Sequence, residues 1–195
     1  NCISHRGPDD SGHELVQTGD YALGLGFRRL SIIELTALGH QPMKSDDGNY
    51  TIIFNGEIYN YKEVRKVLEE AGIKFKSNSD TEVILQSYIK WDRECVKRFI
   101  GMFAFVILDK TKQQLVACRD RAGVKPFLYY RHENLFLFGS ELKSFHQHQR
   151  FKKEIDNNAL ALYFQHGYIP APHCIFNHTY KLLPGHWLLI DLKNK

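Results

Sequence analysis

Short apolar runs ending in turn-forming residues alternate along the chain with a few stretches of helical spacing. Thr51 to Phe54 is a β-rich run that stops at Asn55-Gly56, a dipeptide suited to a sharp turn. Lys62 to Ala71 predicts a helix, because Val64, Val67, Leu68 and Ala71 recur on one face. Asn60 and Glu63 have the spacing of an N-terminal cap, and Gly72 suits the exit. A second helix is expected from Ser79, whose spacing to Glu82 matches a capping box, with Val83, Ile84, Tyr88 and Trp91 turned inward. Met102 to Leu108 and Leu115 to Cys118 read as one hairpin, and Phe127 to Tyr130 with Leu135 to Phe138 as another. Asp156 is placed to cap a helix from about Asn157 to Gln165, and Pro172 cannot prolong it. Hairpins interrupted by helices indicate an α+β fold with mainly antiparallel sheets rather than a βαβ nucleotide fold.

Composition narrows the class. The 195 residues, 43% of them hydrophobic, suffice for one globular core with at most the start of a linker. No apolar stretch reaches the roughly eighteen residues of a membrane span, and the front has no signal-peptide pattern; the scattered cysteines, without a disulfide framework, point to a reducing cytoplasm. Because the first residue is Asn1, the chain reads as trimmed or cut from something longer. The net charge of +4 is spread among both signs, which argues against a nucleic-acid surface. Cys2, Cys95, Cys118 and Cys174 form no CxxC, and His146 and His148 read as exposed, so no metal site is expected.

Three segments place charged and turn-forming residues beside apolar strands: Arg28 to Ile33, Asn55 to Asn60, and Ser79 to Glu82. An arginine fork pairs with an α-carboxylate in bidentate fashion, and Glu and Asp can hold an α-ammonium. An Asn amide beside a glycine N–H can supply two donors to an oxyanion. The same residues also suit a surface salt bridge, a hairpin turn and a helix cap, so residue types alone leave both readings open.

The order of blocks adds a resemblance. His5-Arg6-Gly7-Pro8-Asp9, Arg28-Arg29-Leu30-Ser31-Ile32, Gly39-His40-Gln41-Pro42-Met43 and Asn55-Gly56-Glu57-Ile58-Tyr59-Asn60 resemble the glutaminase half of asparagine synthetases. So do Ser79-Asp80-Thr81-Glu82, Gly101 to Phe105, Arg119 to Pro126 and Ser140-Glu141-Leu142-Lys143, in the family's order. The resemblance implies an N-terminal-nucleophile hydrolase fold, a four-layer αββα sandwich of two antiparallel sheets. It further implies hydrolysis of L-glutamine by an amino-terminal cysteine, with ammonia passing to a synthetase domain that amidates L-aspartate using ATP and Mg. Carried over residue by residue, Arg29 would hold the α-carboxylate, with Leu30, Ser31, Ile32 and Ile33 lining that side. Asn55 and Gly56 would form the oxyanion hole, Glu57 and Asp80 would bind the amine, and Arg6 and Asn60 would support them. Arg119 to Pro126 is expected to be scaffolding.

By the same resemblance, residues 1–165 form the glutaminase domain, and residues 166–195 lead toward a synthetase domain of the same parent chain. No cofactor is expected in the first; a homodimer is a further expectation. The nucleophile is expected to lie before His5 and outside this chain, because only Ile3 and Ser4 separate Cys2 from His5. Cys2 could serve only after loss of Asn1. Rival readings are another class II amidotransferase, a β-lactam synthetase-like enzyme, and a non-catalytic glutamine-binding module.

Overall fold

The structure, a computed structural model, describes residues 2–17 and 21–193. Asn1, whose loss the Cys2 alternative requires, lies outside the described residues. After a 3-10 turn at Ser4–Arg6, the strands β1 (Asp10–Gln17) and β2 (Ala22–Arg29) pair as an antiparallel hairpin. Next come β3 (Met43–Lys44), β4 (Tyr50–Ile58), α1 (Tyr61–Glu70) and α2 (Asp80–Trp91). β5 (Gly101–Asp109), β6 (Gln114–Arg119), β7 (Leu128–His132) and β8 (Leu135–Gly139) follow. The chain then forms α3 (Leu142–Phe145), α4 (Asn157–His166), β9 (Thr179–Lys181) and β10 (Trp187–Asp191).

A five-stranded antiparallel sheet in the order β10-β6-β5-β4-β3 is the centre of the molecule. Side chains alternate across it with period two. Ile52, Phe54, Phe103, Phe105, Ile107 and Val116 face Val64, Leu68, Val83 and Ile84 of α1 and α2. Ile53, Ala104, Val106, Leu115 and Ala117 face the opposite way, onto Leu25 and Phe27 of the hairpin and Tyr129, Phe136 and Phe138 of β7 and β8. Burial on both faces is why these strands read as unbroken apolar runs, and each fully buried Phe or Ile contributes about 1.5–3 kcal/mol. β8-β7-β9 is a second antiparallel sheet, whose outer residues Leu128, Tyr130, Leu135 and Leu137 pack under Phe145 of α3 and Phe151. The layers therefore run helix, sheet, sheet, helix as expected. Among the described residues, however, the second sheet layer consists of two pieces, β1-β2 and β8-β7-β9.

Local details depart from the periodicity. Val67 is 45% exposed and only Val64 and Leu68 of α1 are buried, because α1 meets the core along a narrow stripe. Asn60 does not cap α1 with its side chain. It instead donates to Arg98 O at 2.9 Å and accepts from Ile100 N–H at 2.8 Å, holding the end of β4 to the approach to β5. Ser79 does cap α2, accepting from Glu82 N–H at 3.2 Å, but Glu82 turns away to accept from the N–H groups of Lys76 and Ser77. Asp156 caps α4 through Asn158 N–H and Ala159 N–H. His146 is not free in solvent, since its ring stacks on Phe151.

Candidate functional site

The site grows from the far half of β4. β3 pairs only with Thr51 and Ile52, so among the described residues no strand lies beside that edge of β4 beyond Ile52. Tyr59 N–H points to Ile100 O on the β5 side, so even-numbered residues of β4 aim their N–H groups the other way. Side chains take the place of the missing strand. Phe54 N–H donates to Gln41 Oε1 at 2.6 Å, and Ile58 N–H donates to Asp80 Oδ2 at 3.0 Å. Gly56 N–H, between them, has no partner among the described residues. Only glycine fits at this point: φ is +155°, and a Cβ would lie 2.2 Å from Met102 O.

Around that N–H lies a cavity of about 210 Å³. Asn55, Gly56 and Glu57 come to it from β4, Asp80 and Thr81 from the first turn of α2, and Arg29, Leu30, Ile32 and Ile33 from the end of β2 and its loop. Arg6 also lines it, held by an ion pair of 3.0 Å with Glu141. Glu141 in turn is held down at about 2: desolvation opposes this, but hydrogen bonds from Arg6, His5 and Lys143 prevail. Asp80 moves the other way. Burial away from water pushes its carboxyl up to about 6, aided by the charge of Glu57 and opposed by backbone N–H bonds, chiefly that of Ile58.

The buried Arg29 guanidinium is committed in part to its own loop. It donates through Nη1 to Thr36 O at 3.0 Å and through Nη2 to Glu34 O. Two of the five N–H donors of an arginine are thus occupied and three remain. Glu34 fixes the same loop, accepting from Thr36 and from Asn78 N–H, the last at 3.1 Å. Leu30 and Ile32 form an exposed rim, 58% and 62% accessible. Ser31 and Asn60 do not line the cavity; Ser31 N–H donates instead to Asp9 Oδ2 at 2.7 Å.

Three participants have no site role assigned from the sequence. Asn55 Nδ2 is paired with Ser140 Oγ at 3.4 Å, a contact between residues 85 positions apart. Gln41 reaches both β4 and α2, with Nε2 donating to Thr81 Oγ1 at 3.1 Å. Lys125 belongs to the segment expected to be scaffolding, yet it lines the cavity. The rest of that segment is structural: Arg119 donates to Lys125 O, Leu182 O and Gly123 O, and Asp120 accepts N–H bonds from Phe103, Ala122, Val124 and Lys125.

A second cavity of about 540 Å³ lies between the sheet layers. Gly26, Phe27 and Arg28 of β2 wall one side, Phe138 and Gly139 of β8 the other, and Ile53, Ala104 and Val106 form the floor. Asn55 and Arg6 line both cavities, so the two meet at the candidate oxyanion donors. Cys2 lines the larger one. Cys95, Cys118 and Cys174 are buried away from both, and desolvation raises all three thiols, that of Cys95 to about 12.

Comparison with known proteins decides the family. Residues 1–195 match the glutamine amidotransferase domain family over their whole length. The chain belongs to this family. An asparagine synthetase (glutamine-hydrolysing) 2 of Methanocaldococcus jannaschii, itself named as putative, is 41% identical over 210 residues, covering 100% of this chain and 40% of that protein. Asparagine synthetase (glutamine-hydrolysing) 1 of Bacillus subtilis is 43% identical over 183 residues, covering 94% of this chain and 28% of that protein. The amidotransferase domain thus spans less than half the length of these relatives. The solved structure of glutamine phosphoribosylpyrophosphate amidotransferase from Bacillus subtilis superposes with a TM-score of 0.69 over 98% of this chain and 43% of its own, at 16% identity. That likeness concerns the fold alone, and the fold is the N-terminal-nucleophile hydrolase one. This is a class II amidotransferase domain of the kind found in asparagine synthetase-like proteins.

Proposed function

We propose that the smaller cavity binds L-glutamine and that the domain releases ammonia from it for the ATP-dependent amidation of L-aspartate by a synthetase domain of the same parent chain. One observation carries the reading. The Gly56 N–H, without a partner among the described residues, and the Asn55 amide line one cavity together with Asp80, Glu57 and Arg29. In this arrangement the α-ammonium lies against Glu57 and Asp80. The α-carboxylate takes the remaining Arg29 donors and the backbone of Leu30, Ile32 and Ile33. The side-chain amide oxygen is left to Asn55 Nδ2 and Gly56 N–H, where negative charge grows as a nucleophile adds to the amide carbon. Arg6 acts through Glu141 as a supporting residue, and Asn60 acts by holding the end of β4. The amidation step is supported by the names of the relatives, not by residues of this domain. On this reading the ATP and Mg of the amidation belong to the synthetase domain.

The attacking thiol is assigned to a segment outside these residues, seated in the larger cavity. The support is the shape of that cavity, a groove between β2 and β8 that opens on Asn55, and the buried state of Cys95, Cys118 and Cys174. Cys2 is the competing candidate, because it lines the same groove. Glutamate release from L-glutamine by the chain and by its Cys2→Ala variant separates the two. The expected result is no turnover in either protein; turnover abolished by Cys2→Ala would make Cys2 the nucleophile.

A further inference from the structure

Gln41 is 5% exposed, yet neither of its side-chain polar atoms is wasted. Its Oε1 accepts Phe54 N–H at 2.6 Å, and its Nε2 donates to Thr81 Oγ1 at 3.1 Å. Phe54 and Thr81 adjoin Asn55 and Asp80 in sequence, and in the binding mode proposed above those two residues hold opposite ends of the ligand. The backbone of Gln41 is itself fixed from a third direction. A Cβ on Gly12 of β1 would lie 1.9 Å from Gln41 O, so that strand closes directly on the Gln41 peptide. The neighbouring His40 ring contacts Asp10 at 2.7 Å, fastening the same stretch to β1.

We propose that Gln41 is a positioning residue of the glutamine site, a surrogate strand partner that sets the spacing between the Asn55–Gly56 donors and Asp80. Along the open edge of β4 a true neighbouring strand would also engage Gly56 N–H, because it would satisfy every second residue. Gln41 and Asp80 satisfy Phe54 and Ile58 only, and leave the N–H between them for a ligand. Through Thr81 the same amide ties that edge to the first turn of α2, which carries Asp80. Gln41 has no place in the reaction itself. It acts through Phe54 and Thr81, and the proposal rests on the glutamine reading above.

Length discrimination is the property that such spacing controls. L-Asparagine carries the same α-groups as L-glutamine, but its amide is one methylene short of the Asn55–Gly56 donors. Calorimetric titration of the 195-residue chain with both amino acids should show a preference for L-glutamine. In Gln41→Met, which keeps the length and loses both bonds, glutamine affinity should fall about tenfold and the glutamine-to-asparagine ratio should shrink with it. Thr81→Val removes only the tie to α2 and should move the ratio the same way by less, whereas Thr81→Ser should leave it unchanged. Should Gln41→Met not fold, the two Thr81 variants decide alone. A lowered thermal midpoint with an unchanged ratio in Gln41→Met or Thr81→Val would make the residue merely structural and overturn the proposal. Wild-type protein that binds glutamine no better than asparagine would overturn the glutamine reading and the positioning role together.

Discussion

Asp80 shows how one residue links burial, charge and binding. Its carboxyl is raised to about 6 in the folded chain by desolvation, and an unfolded Asp titrates near 4. A raised acid is a stability cost that is absent below the unfolded value and is incurred as pH climbs through the folded one. The shift corresponds to on the order of 2–3 kcal/mol at neutral pH. Asp80→Asn keeps an acceptor for Ile58 N–H and removes the charge. It should raise the thermal midpoint at pH 7.5 and leave it unchanged at pH 4, as differential scanning fluorimetry would show. On the proposed reading the same titration acts on binding: an ammonium held by Asp80 needs the ionised carboxylate, so glutamine affinity should fall as pH drops below about 6 and the fall should vanish in Asp80→Asn. At this scale Asn55, Gly56, Glu57, Asp80 and Arg29 were assigned to the site by the resemblance, their residue types alone leaving a turn, a cap and a surface ion pair open, and one cavity brings all five together. Gln41 and Ser140 were not, since their contacts reach across 13 and 85 positions and leave no periodic trace.

The decisive element is β4, whose near half is an interior strand and whose far half is an edge capped by side chains. Asn55-Gly56 suggested a sharp turn from its residue types, yet the strand runs on through both to Ile58. The positive φ at Gly56 is accommodated within the ladder, opposite Phe103, rather than at a reversal. Gly56→Ala should therefore destabilise the chain by about 2–4 kcal/mol, as urea unfolding would measure, because the methyl would meet Met102 O and Phe103 Cα with no side chain free to yield. A midpoint within error of wild type would show that the β4–β5 ladder relaxes there. The three longer helices were read correctly as elements and less well in their caps, and the short α3 was not anticipated. Asn60 and Glu82 have capping spacing, but tertiary backbone groups at Arg98, Ile100, Lys76 and Ser77 compete for their side chains and win.

At the scale of the molecule, antiparallel sheets were legible from the hairpins and their stacking in two layers only from the resemblance, while the division of the second sheet layer was not. That division depends on which strands meet in space. Among the described residues, β2 pairs only with β1 and β8 only with β7, and their other edges flank the cavity of about 540 Å³. Open edges beside an apolar floor favour pairing with another extended segment. The chain in isolation should therefore self-associate, giving a weight-average mass that rises with concentration in sedimentation experiments; a strict monomer throughout would count against open edges in solution. The central claim concerns the smaller cavity, and calorimetric titration with L-glutamine of the wild-type chain beside Arg29→Ala tests it most directly. The account predicts saturable one-to-one binding that weakens at least about tenfold in the variant, the usual scale for losing a charged hydrogen-bond partner. Equal affinity in the two proteins, or no binding of glutamine to the folded wild type, would contradict it.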